Sequence, residues 1–381
     1  MMNRIYLDHA ATTAVSPEVL REMLPCMTEC FGNAASIHGT GREAHRALDR
    51  ARKQVAAVLG AQPQEIYFTS GGSESDNWAV KGVAWAARGR GKHVITSAVE
   101  HHAVLNACAW LEGMGFEVTR LPVDALGRVD PDSVARAVRP DTVLISVMTA
   151  NNEIGTLQPI REIGEIARSR GVPFHTDAVQ AAGHIPVNVE ELQVDLLSLS
   201  AHKFHGPKGV GVLYVRRGTK LDSLIHGGAQ ERGLRAGTPN VPGAVGLAKA
   251  LELAAASLPE STNRVRALRD LLIREIRARI PDAVLNGDPE RRLPGNVHFS
   301  FPDVDGEALL LRLDLAGIAC SGGSACTSGA QEPSHVLAAI GQAPDLAKGG
   351  LRMTLGEENT PEEIKEVLRV LPEIVQDLKR F

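Results

Sequence analysis

The chain has 381 residues, of which 44% are hydrophobic and 23% charged, a balance typical of a globular protein with a full-sized core. Its formal net charge is −4 and both signs are interspersed, which argues against a nucleic-acid-binding or membrane-surface protein. No apolar run reaches the roughly 20 residues that a bilayer requires, and the N-terminus lacks the apolar stretch of a signal peptide. Five irregularly spaced cysteines argue against a disulfide framework, so we expect a cytoplasmic protein.

Strand-like and amphipathic helical segments alternate between residues 65 and 215. The predicted strands are Glu65–Thr69, His93–Thr96, Phe116–Arg120, Val143–Val147, Pro173–Asp177, Leu196–Ser200 and Val210–Val215. The clearest helices between them are Ser73–Ala87, Ala103–Glu112 and Ile160–Arg170. This alternation predicts an α/β fold with a mostly parallel seven-stranded sheet and helices on both faces. Ligands of such sheets bind beyond the carboxyl ends of the strands.

The pattern changes after about residue 258, where we expect a smaller α+β domain. Its last helix has a clear start, with Thr360 as N-cap, Pro361 in the first turn and Glu363 as capping-box partner. We expect a large domain over 13–257, and a small domain made of 1–12 together with 258–381.

Lys203 follows directly after the predicted buried strand Leu196–Ser200 and stands between His202 and His205. Lysine is among the residues least often buried, so this position favours a chemical role. A desolvated lysine shifts its pKa readily, which suits it to forming a Schiff base with a carbonyl compound.

Asp177 ends the predicted strand Pro173–Asp177, and His101 comes after another predicted strand, His93–Thr96. A carboxylate buried at such a place needs a partner, because its desolvation is costly. A protonated pyridine nitrogen is one such partner, as in pyridoxal enzymes, and capping of the next helix is the alternative for Asp177. His101 could stack its imidazole on an aromatic ring, or be a polar loop residue.

The segment Thr69–Ser75 contains Gly72 and Ser73 at a transition from strand to helix. Backbone N–H groups exposed there form an anion site that suits phosphate, although a plain helix cap is the alternative. The glycines at Gly39 and Gly41 lack a preceding strand, and no Walker A motif occurs, so neither indicates a nucleotide site.

The histidines and cysteines do not predict a metal site, because no His-x-x-x-His or Cys-x-x-Cys pair occurs. The segment 320–334 is rich in small residues, which predicts a mobile loop with an accessible thiol at Cys326. Cys320, the first residue of this segment, follows Gly317-Ile-Ala on an apolar stretch and is expected to pack.

Together these motifs resemble the cysteine desulfurases of the NifS/IscS type, within the class V aminotransferase-like pyridoxal phosphate enzymes of fold type I. The resemblance extends from Tyr6–Thr13 to Leu351–Gly356 and is most specific around Lys203 and in the block 323–328. Ala34 and Pro239 depart from the usual pattern, away from the chemistry.

The resemblance implies that Lys203 binds pyridoxal 5'-phosphate covalently and acts in catalysis together with Cys326 and His101. Asp177 would pair with the ring nitrogen, Gln180 would contact the ring hydroxyl, and His101 would stack on the ring. The remaining implied cofactor contacts are Gly72, Ser73, Ser200 and His202 at the phosphate, Asn152 near the ring, and Thr238 at the phosphate of the neighbouring subunit in a homodimer.

The implied substrate is L-cysteine, with Asn152 and Arg352 at substrate-binding positions and the Arg352 guanidinium suited to the carboxylate. The products are L-alanine and a persulfide on Cys326, which is passed to an acceptor such as an iron–sulfur scaffold or a tRNA-thiolation enzyme. No resident metal is implied, only transient ligation of an iron–sulfur cluster by Cys326. The alternatives are a selenocysteine lyase, another class V aminotransferase-like enzyme, and a non-catalytic sulfur-assembly scaffold.

Overall fold

The structure, a computed structural model, describes residues 4–322 and 334–379. Twelve strands lie in these residues, and the seven strands predicted between residues 65 and 215 are each found within one residue of their predicted bounds. In chain order the strands are β1 (Ile5–Tyr6), β2 (Ile66–Thr69), β3 (His93–Ser97), β4 (Glu117–Leu121), β5 (Thr142–Ser146), β6 (Phe174–Asp177), β7 (Leu196–Ser200), β8 (Gly211–Val215), β9 (Val284–Leu285), β10 (Asn296–Ser300), β11 (Ile318–Ala319) and β12 (Gly350–Thr354).

Eleven α-helices lie in the same described ranges. They are α1 (Pro17–Thr28), α2 (Gly39–Leu59), α3 (Gly72–Ala86), α4 (His102–Gly113), α5 (Pro131–Ala137), α6 (Ile160–Arg170), α7 (Val241–Arg279), α8 (Gly306–Leu315), α9 (His335–Ala339), α10 (Pro344–Lys348) and α11 (Pro361–Leu378). The predicted capping box of α11 is present, because Glu363 N donates to Thr360 Oγ1 and Thr360 N donates to Glu363 Oε2.

The central sheet has seven strands in the order β2-β8-β7-β6-β5-β3-β4. Among these strands, β8 runs antiparallel to both of its neighbours, and the other neighbouring pairs are parallel. The prediction of a mostly parallel seven-stranded sheet is therefore confirmed. Because β3, β5, β6 and β7 run in the same direction, their carboxyl ends meet at one edge, where a ligand can bind.

Apolar side chains cover both faces of this sheet. One face contributes Ile145 and Leu197 to a large core shared with α2, α6 and the first half of α7. The other face contributes Val94 and Leu144 to a second layer, which includes Trp78 of α3. Strands buried on both faces explain why their sequences read as short continuous apolar runs.

A separate apolar core lies around the three-stranded sheet β12-β10-β9. It is formed with α8, α11 and the second half of α7, and Leu7 of the N-terminal segment is fully buried in it. Helix α7 is 39 residues long and contributes to both cores, so it continues without interruption past residue 257. The division of the chain at 257/258 stays a prediction.

Helix α7 is also long and apolar enough to cross a membrane by length and composition alone. It packs against α1, α2 and α11, and this packing accounts for its apolar residues as those of a core helix.

The core around the sheet β12-β10-β9 is called the small core below. The N-terminal segment runs from this small core to the edge of the central sheet. Strand β1 pairs in parallel with β11, and Asp8 then bridges to Thr354 of β12. Further along, Thr13 N and Thr13 Oγ1 both donate to the carbonyl oxygen of His202. The segment therefore spans the space between the two cores and forms one wall of the site.

Candidate active site

A cavity of about 390 Å³ opens at the carboxyl edge of the central sheet. It gathers side chains from the N-terminal segment, the starts of α3 and α4, the ends of β6 and β7, and β12. Ten residues that the sequence analysis named for the site line it, namely Gly72, Ser73, His101, Asn152, Asp177, Gln180, Ser200, His202, Lys203 and Arg352. These positions are spread over 281 residues of the sequence, from 72 to 352, and only the fold brings them together.

Lys203 lies in a short 3₁₀ turn, Ala201–Lys203, that follows β7 directly. Its Nζ donates hydrogen bonds to the carbonyl oxygens of Ala10 at 2.6 Å and Ala11 at 2.8 Å. Gln180 Nε2 donates to the same Ala10 carbonyl at 2.9 Å. The amine is thus held inside the cavity, beside the side chain predicted to contact the ring hydroxyl.

The carbonyls of Ala10 and Ala11 are site groups that sequence reasoning missed. Main-chain acceptors carry no side-chain signature, and the segment contacts a lysine that lies 192 and 193 residues away. The small side chains beside Asp8 were the available signal, because they allow the backbone to come close to another group.

Asp177 ends β6 and is only 5% exposed. Burial raises the pKa of its carboxyl group to about 6, against the opposing effects of the Val179 amide and of Lys203. Val179 N donates to Asp177 Oδ1 at 2.9 Å, so Asp177 caps the turns that follow β6, in place of the helix that the alternative expected there. The residue also lines the cavity, so a protonated ring nitrogen there would supply the charge that a buried carboxylate needs.

His101 is the N-cap of α4, where its Nδ1 accepts a hydrogen bond from Ala103 N at 3.1 Å. Burial lowers its pKa to about 4, and the positive charge of Lys203 acts in the same direction. The imidazole is therefore neutral near pH 7 and presents a flat ring to the cavity, as stacking requires.

The first turn of α3 provides the expected anion site. Among the described residues no side chain caps this helix N-terminus, which begins at Gly72 after Gly71. A Cβ atom built on Gly72 would lie 2.7 Å from Val179 Cγ2, so a larger residue would fill the space beside Ser200. Uncapped N–H groups at the positive end of a helix dipole suit a phosphate.

Arg352 extends from β12 into the cavity and its side chain is 2% exposed. Its Nη2 donates to Asp8 Oδ1 at 2.9 Å, and its Nη1 donates to the carbonyl oxygen of Asn152 at 2.9 Å. The guanidinium is therefore oriented by two neighbouring segments, and Asp8 is a further carboxylate that sequence reasoning did not assign.

Thr238 does not line this cavity. It lies in a smaller cavity of about 170 Å³, beside Ser70 and near Arg235, whose guanidinium pairs with Glu74 at 2.9 Å. The structure describes one chain, so the contact of Thr238 with a neighbouring subunit stays a prediction. Cys326 and the block 323–328 lie outside the described residues.

Cys320 packs against the small core, as expected. Burial raises the pKa of its thiol to about 12, so almost no thiolate is present near pH 7. This residue is therefore unsuited to nucleophilic attack in the described conformation.

A layer of buried polar groups behind Asp177 was not predicted from the sequence. His175 of β6 lies 2.9 Å from both Ser146 Oγ and Ser198 Oγ, and 3.7 Å from Asp76 Oδ1. Burial raises the pKa of Asp76, and the charge of Asp177 raises it further. The polar residues His175 and Thr176 inside a predicted buried strand were the available signal.

Glu100, directly before His101, belongs to the same layer. Its Oε1 accepts hydrogen bonds from Ser97 Oγ at 2.5 Å and from Met148 N at 2.9 Å. Burial nevertheless raises its pKa to about 8, so the carboxyl group is largely protonated near pH 7.

Comparison with known proteins gives the chain its family. The family model described as aminotransferase class-V matches residues 5–367. The cysteine desulfurase IscS of Methanosarcina thermophila is 58% identical over 377 residues, which cover 99% of this chain and 93% of that protein. The corresponding protein of Dictyoglomus turgidum is 55% identical, with 100% of this chain and 96% of that protein covered.

Solved structures agree with this assignment. A NifS-like protein superimposes with a TM-score of 0.92 at 41% identity, covering 98% of this chain and 100% of that one. SspA in complex with cysteine superimposes with a TM-score of 0.83 at 37% identity, covering 93% and 100% of the two chains. The chain belongs to the class-V aminotransferase family and, within it, to the cysteine desulfurases.

Proposed function

We propose that this desulfurase takes the sulfur of L-cysteine onto Cys326 as a persulfide, releases L-alanine, and uses pyridoxal 5'-phosphate bound at Lys203. The supporting observation is the cavity itself, which unites a half-buried lysine, a buried carboxylate, a neutral imidazole and an uncapped helix N-terminus. SspA, a relative of known structure, is described in complex with cysteine, and this supports cysteine as the substrate.

The residues present fit the cofactor. Asp177 supplies a buried carboxylate for a protonated ring nitrogen, His101 a flat neutral ring, and Gly72 with Ser73 an open helix N-terminus for phosphate. When bound, the cofactor would act as an electron sink that makes the substrate Cα–H bond acidic and weakens the Cβ–S bond.

The chain's own groups would then position the substrate and move a proton. Lys203 Nζ, held in place by the Ala10 and Ala11 carbonyls, would take the proton from the substrate Cα atom and return it. Arg352, oriented by Asp8 and Asn152, would hold the substrate carboxylate.

Cys326 would attack the substrate sulfur as a thiolate. A cysteine with an ordinary pKa is a few per cent thiolate at pH 7, which suffices for a strong nucleophile. Cys320 cannot replace it where it lies, because burial raises the pKa of the Cys320 thiol.

The proposal extends to the assembly and the place of action. We infer a cytoplasmic homodimer in which Thr238 contacts the neighbouring subunit's phosphate, with a large domain over 13–257 and a small one over 1–12 and 258–381. The sulfur acceptor would be a protein such as an iron–sulfur scaffold or a tRNA-thiolation enzyme. The IscS names of the relatives support the first of these acceptors.

The activity is tested by incubating the purified protein and pyridoxal phosphate with L-cysteine and a thiol reductant. We expect alanine and sulfide in equal amounts. Amino-group transfer to a 2-keto acid without sulfide would identify an aminotransferase instead. Much faster turnover of L-selenocysteine than of L-cysteine would identify a selenocysteine lyase.

A further inference from the structure

A second cavity, of about 490 Å³, lies on the other side of the Lys203 turn from the active site. Its charged lining comprises three carboxylates, Glu18, Glu357 and Glu358, and one guanidinium, Arg264. The excess of carboxylates favours a cation. This cavity belongs to no part of the mechanism above.

Three potential metal ligands meet in this cavity. His9, His205 and Glu358 each present a ligand atom, and the three atoms lie within 4.8 Å of one another. Two imidazoles and a carboxylate form a ligand set that zinc binds commonly, with water in the fourth position. No His-x-x-x-His pair predicted this site, because its members come from three distant segments of the chain.

His9 gives an independent reason to expect a ligand. The residue is 7% exposed, and its Nδ1 has no hydrogen-bond partner among the residues that the structure describes. A buried ring nitrogen without a partner costs free energy that a ligand would recover.

The backbone holds all three residues in place. A Cβ atom on Gly356 would lie 2.4 Å from His9 Cε1, so the ring packs directly on that glycine. His205 N donates to Thr13 Oγ1 at 2.8 Å. Glu358 precedes Asn359, whose Oδ1 accepts from Gly356 N at 2.8 Å.

Glu358 and His205 already interact. His205 Nδ1 lies 3.4 Å from Glu358 Oε1 and 3.2 Å from the carbonyl oxygen of Ala14. Because the Ala14 carbonyl accepts the Nδ1–H of His205, the other ring nitrogen, Nε2, would hold the metal ion, and the exposed Glu358 side chain can turn toward it. A backbone carbonyl beside a ligating histidine is the usual partner that orients the ring.

We propose that His9, His205 and Glu358 bind a divalent metal ion, zinc by ligand type, which ties the N-terminal segment to the turn that carries Lys203. His9 precedes Ala10, whose carbonyl accepts from Lys203 Nζ, and His205 lies two residues after Lys203. The ion would therefore join the two chain segments whose contact holds the lysine amine.

The test is equilibrium dialysis of the cofactor-loaded protein against zinc chloride, with bound metal measured by mass spectrometry. All variants carry Cys326→Ser, so that zinc bound by that thiol does not contribute. We expect the parent to bind one zinc ion per chain. The zinc affinity should fall about tenfold or more in each of the variants His9→Asn, His205→Asn and Glu358→Gln. The matched control His226→Asn, at an exposed histidine elsewhere, keeps the parent affinity.

Thermal unfolding gives a second measurement that does not depend on desulfurase activity. Zinc chloride raises the unfolding midpoint of the Cys326→Ser parent, because a ligand stabilises the state that binds it, and at the same concentration raises it less for Glu358→Gln. Since Glu358 is exposed, this variant folds even if His9→Asn does not. Parent affinity in all three ligand variants, or no bound zinc, would leave only an ion pair here and overturn the proposal.

Discussion

At the scale of single residues, two cysteines in adjacent parts of the chain have different proposed roles. Cys320 packs against the small core and burial raises the pKa of its thiol to about 12. The proposed nucleophile, Cys326, was predicted from its small-residue context and its family position, and lies outside the described residues.

Cys326→Ser is expected to leave pyridoxal phosphate binding unchanged and to lower alanine and sulfide formation by at least about 100-fold, because a hydroxyl replaces the nucleophilic thiolate. The cofactor absorption spectrum and detection of protein-bound persulfide measure the two effects. Cys320→Ser is the matched control and should keep the persulfide. Full alanine and sulfide production by Cys326→Ser would refute the role of this thiol.

Glu100 illustrates a residue whose titration should affect stability. Its pKa in the folded protein is about 8, raised by burial from an ordinary value of 4.5. Between these two values the folded state binds more protons than the unfolded state, so ionisation of Glu100 lowers the free energy of unfolding as the pH rises. The slope for one such group is at most about 1.4 kcal/mol per pH unit.

We therefore expect Glu100→Gln to remove this loss. The measurement is the free energy of unfolding in urea, for the cofactor-free parent and for the variant, at pH 6.5 and at pH 8. This pH interval is suitable because the folded histidines with lowered pKa values, such as His101 at about 4, are neutral throughout it. The advantage of the variant should grow toward pH 8. An advantage that is constant or shrinks with pH would show that Glu100 is already ionised.

At the scale of secondary-structure elements, short apolar runs with polar ends predicted the strands well. Leu196–Ser200 was found with its predicted bounds, and so was helix Ile160–Arg170. Both faces of these strands are buried, so the hydrophobic run and the strand have nearly the same ends. The contact of Ala10 with Lys203 and the proximity of His9 to Glu358 could not be predicted this way, because each joins segments far apart in the sequence.

The start of α3 provides a prediction about an element rather than a side chain. Gly72→Ala would put a methyl group 2.7 Å from Val179 Cγ2, at the helix end proposed to bind phosphate. Such overpacking costs about 1–3 kcal/mol, so we expect pyridoxal phosphate affinity to fall about 5- to 150-fold, measured by cofactor titration. Gly113→Ala, in α4 with nothing within 4 Å of the added atom, is the control. Equal affinities in both variants would argue against this phosphate site.

At the scale of the whole molecule, the active site lies between the large core on one face of the central sheet and the small core around β12-β10-β9. The N-terminal segment connects them, because Leu7 is buried in the small core while Thr13 bonds to His202 beside the large one. Arg352, on a strand of the small core, reaches the same cavity as Lys203. Relative displacement of the two cores would therefore change the distance between the proposed carboxylate-binding group and the lysine.

The proposed homodimer is a prediction at this scale. Helix α1 and the segment after it expose several apolar side chains, namely Leu20, Leu24, Met27, Phe31 and Ile37, and a cluster of this kind favours a protein interface. Analytical ultracentrifugation should give about twice the chain mass of 40.7 kDa. Leu24→Glu should shift the protein toward monomer, whereas Leu126→Glu, at an exposed leucine elsewhere, should not. A monomer at micromolar concentration would contradict the dimer.

The central claim is that Lys203 carries the cofactor, and one measurement tests it most directly. The purified protein is loaded with pyridoxal phosphate, reduced with borohydride, digested and analysed by mass spectrometry. The account predicts loss of the yellow colour and one phosphopyridoxyl group per chain, on Lys203. A label on another lysine, or an unlabelled peptide containing Lys203 in protein that has bound the cofactor, would contradict it.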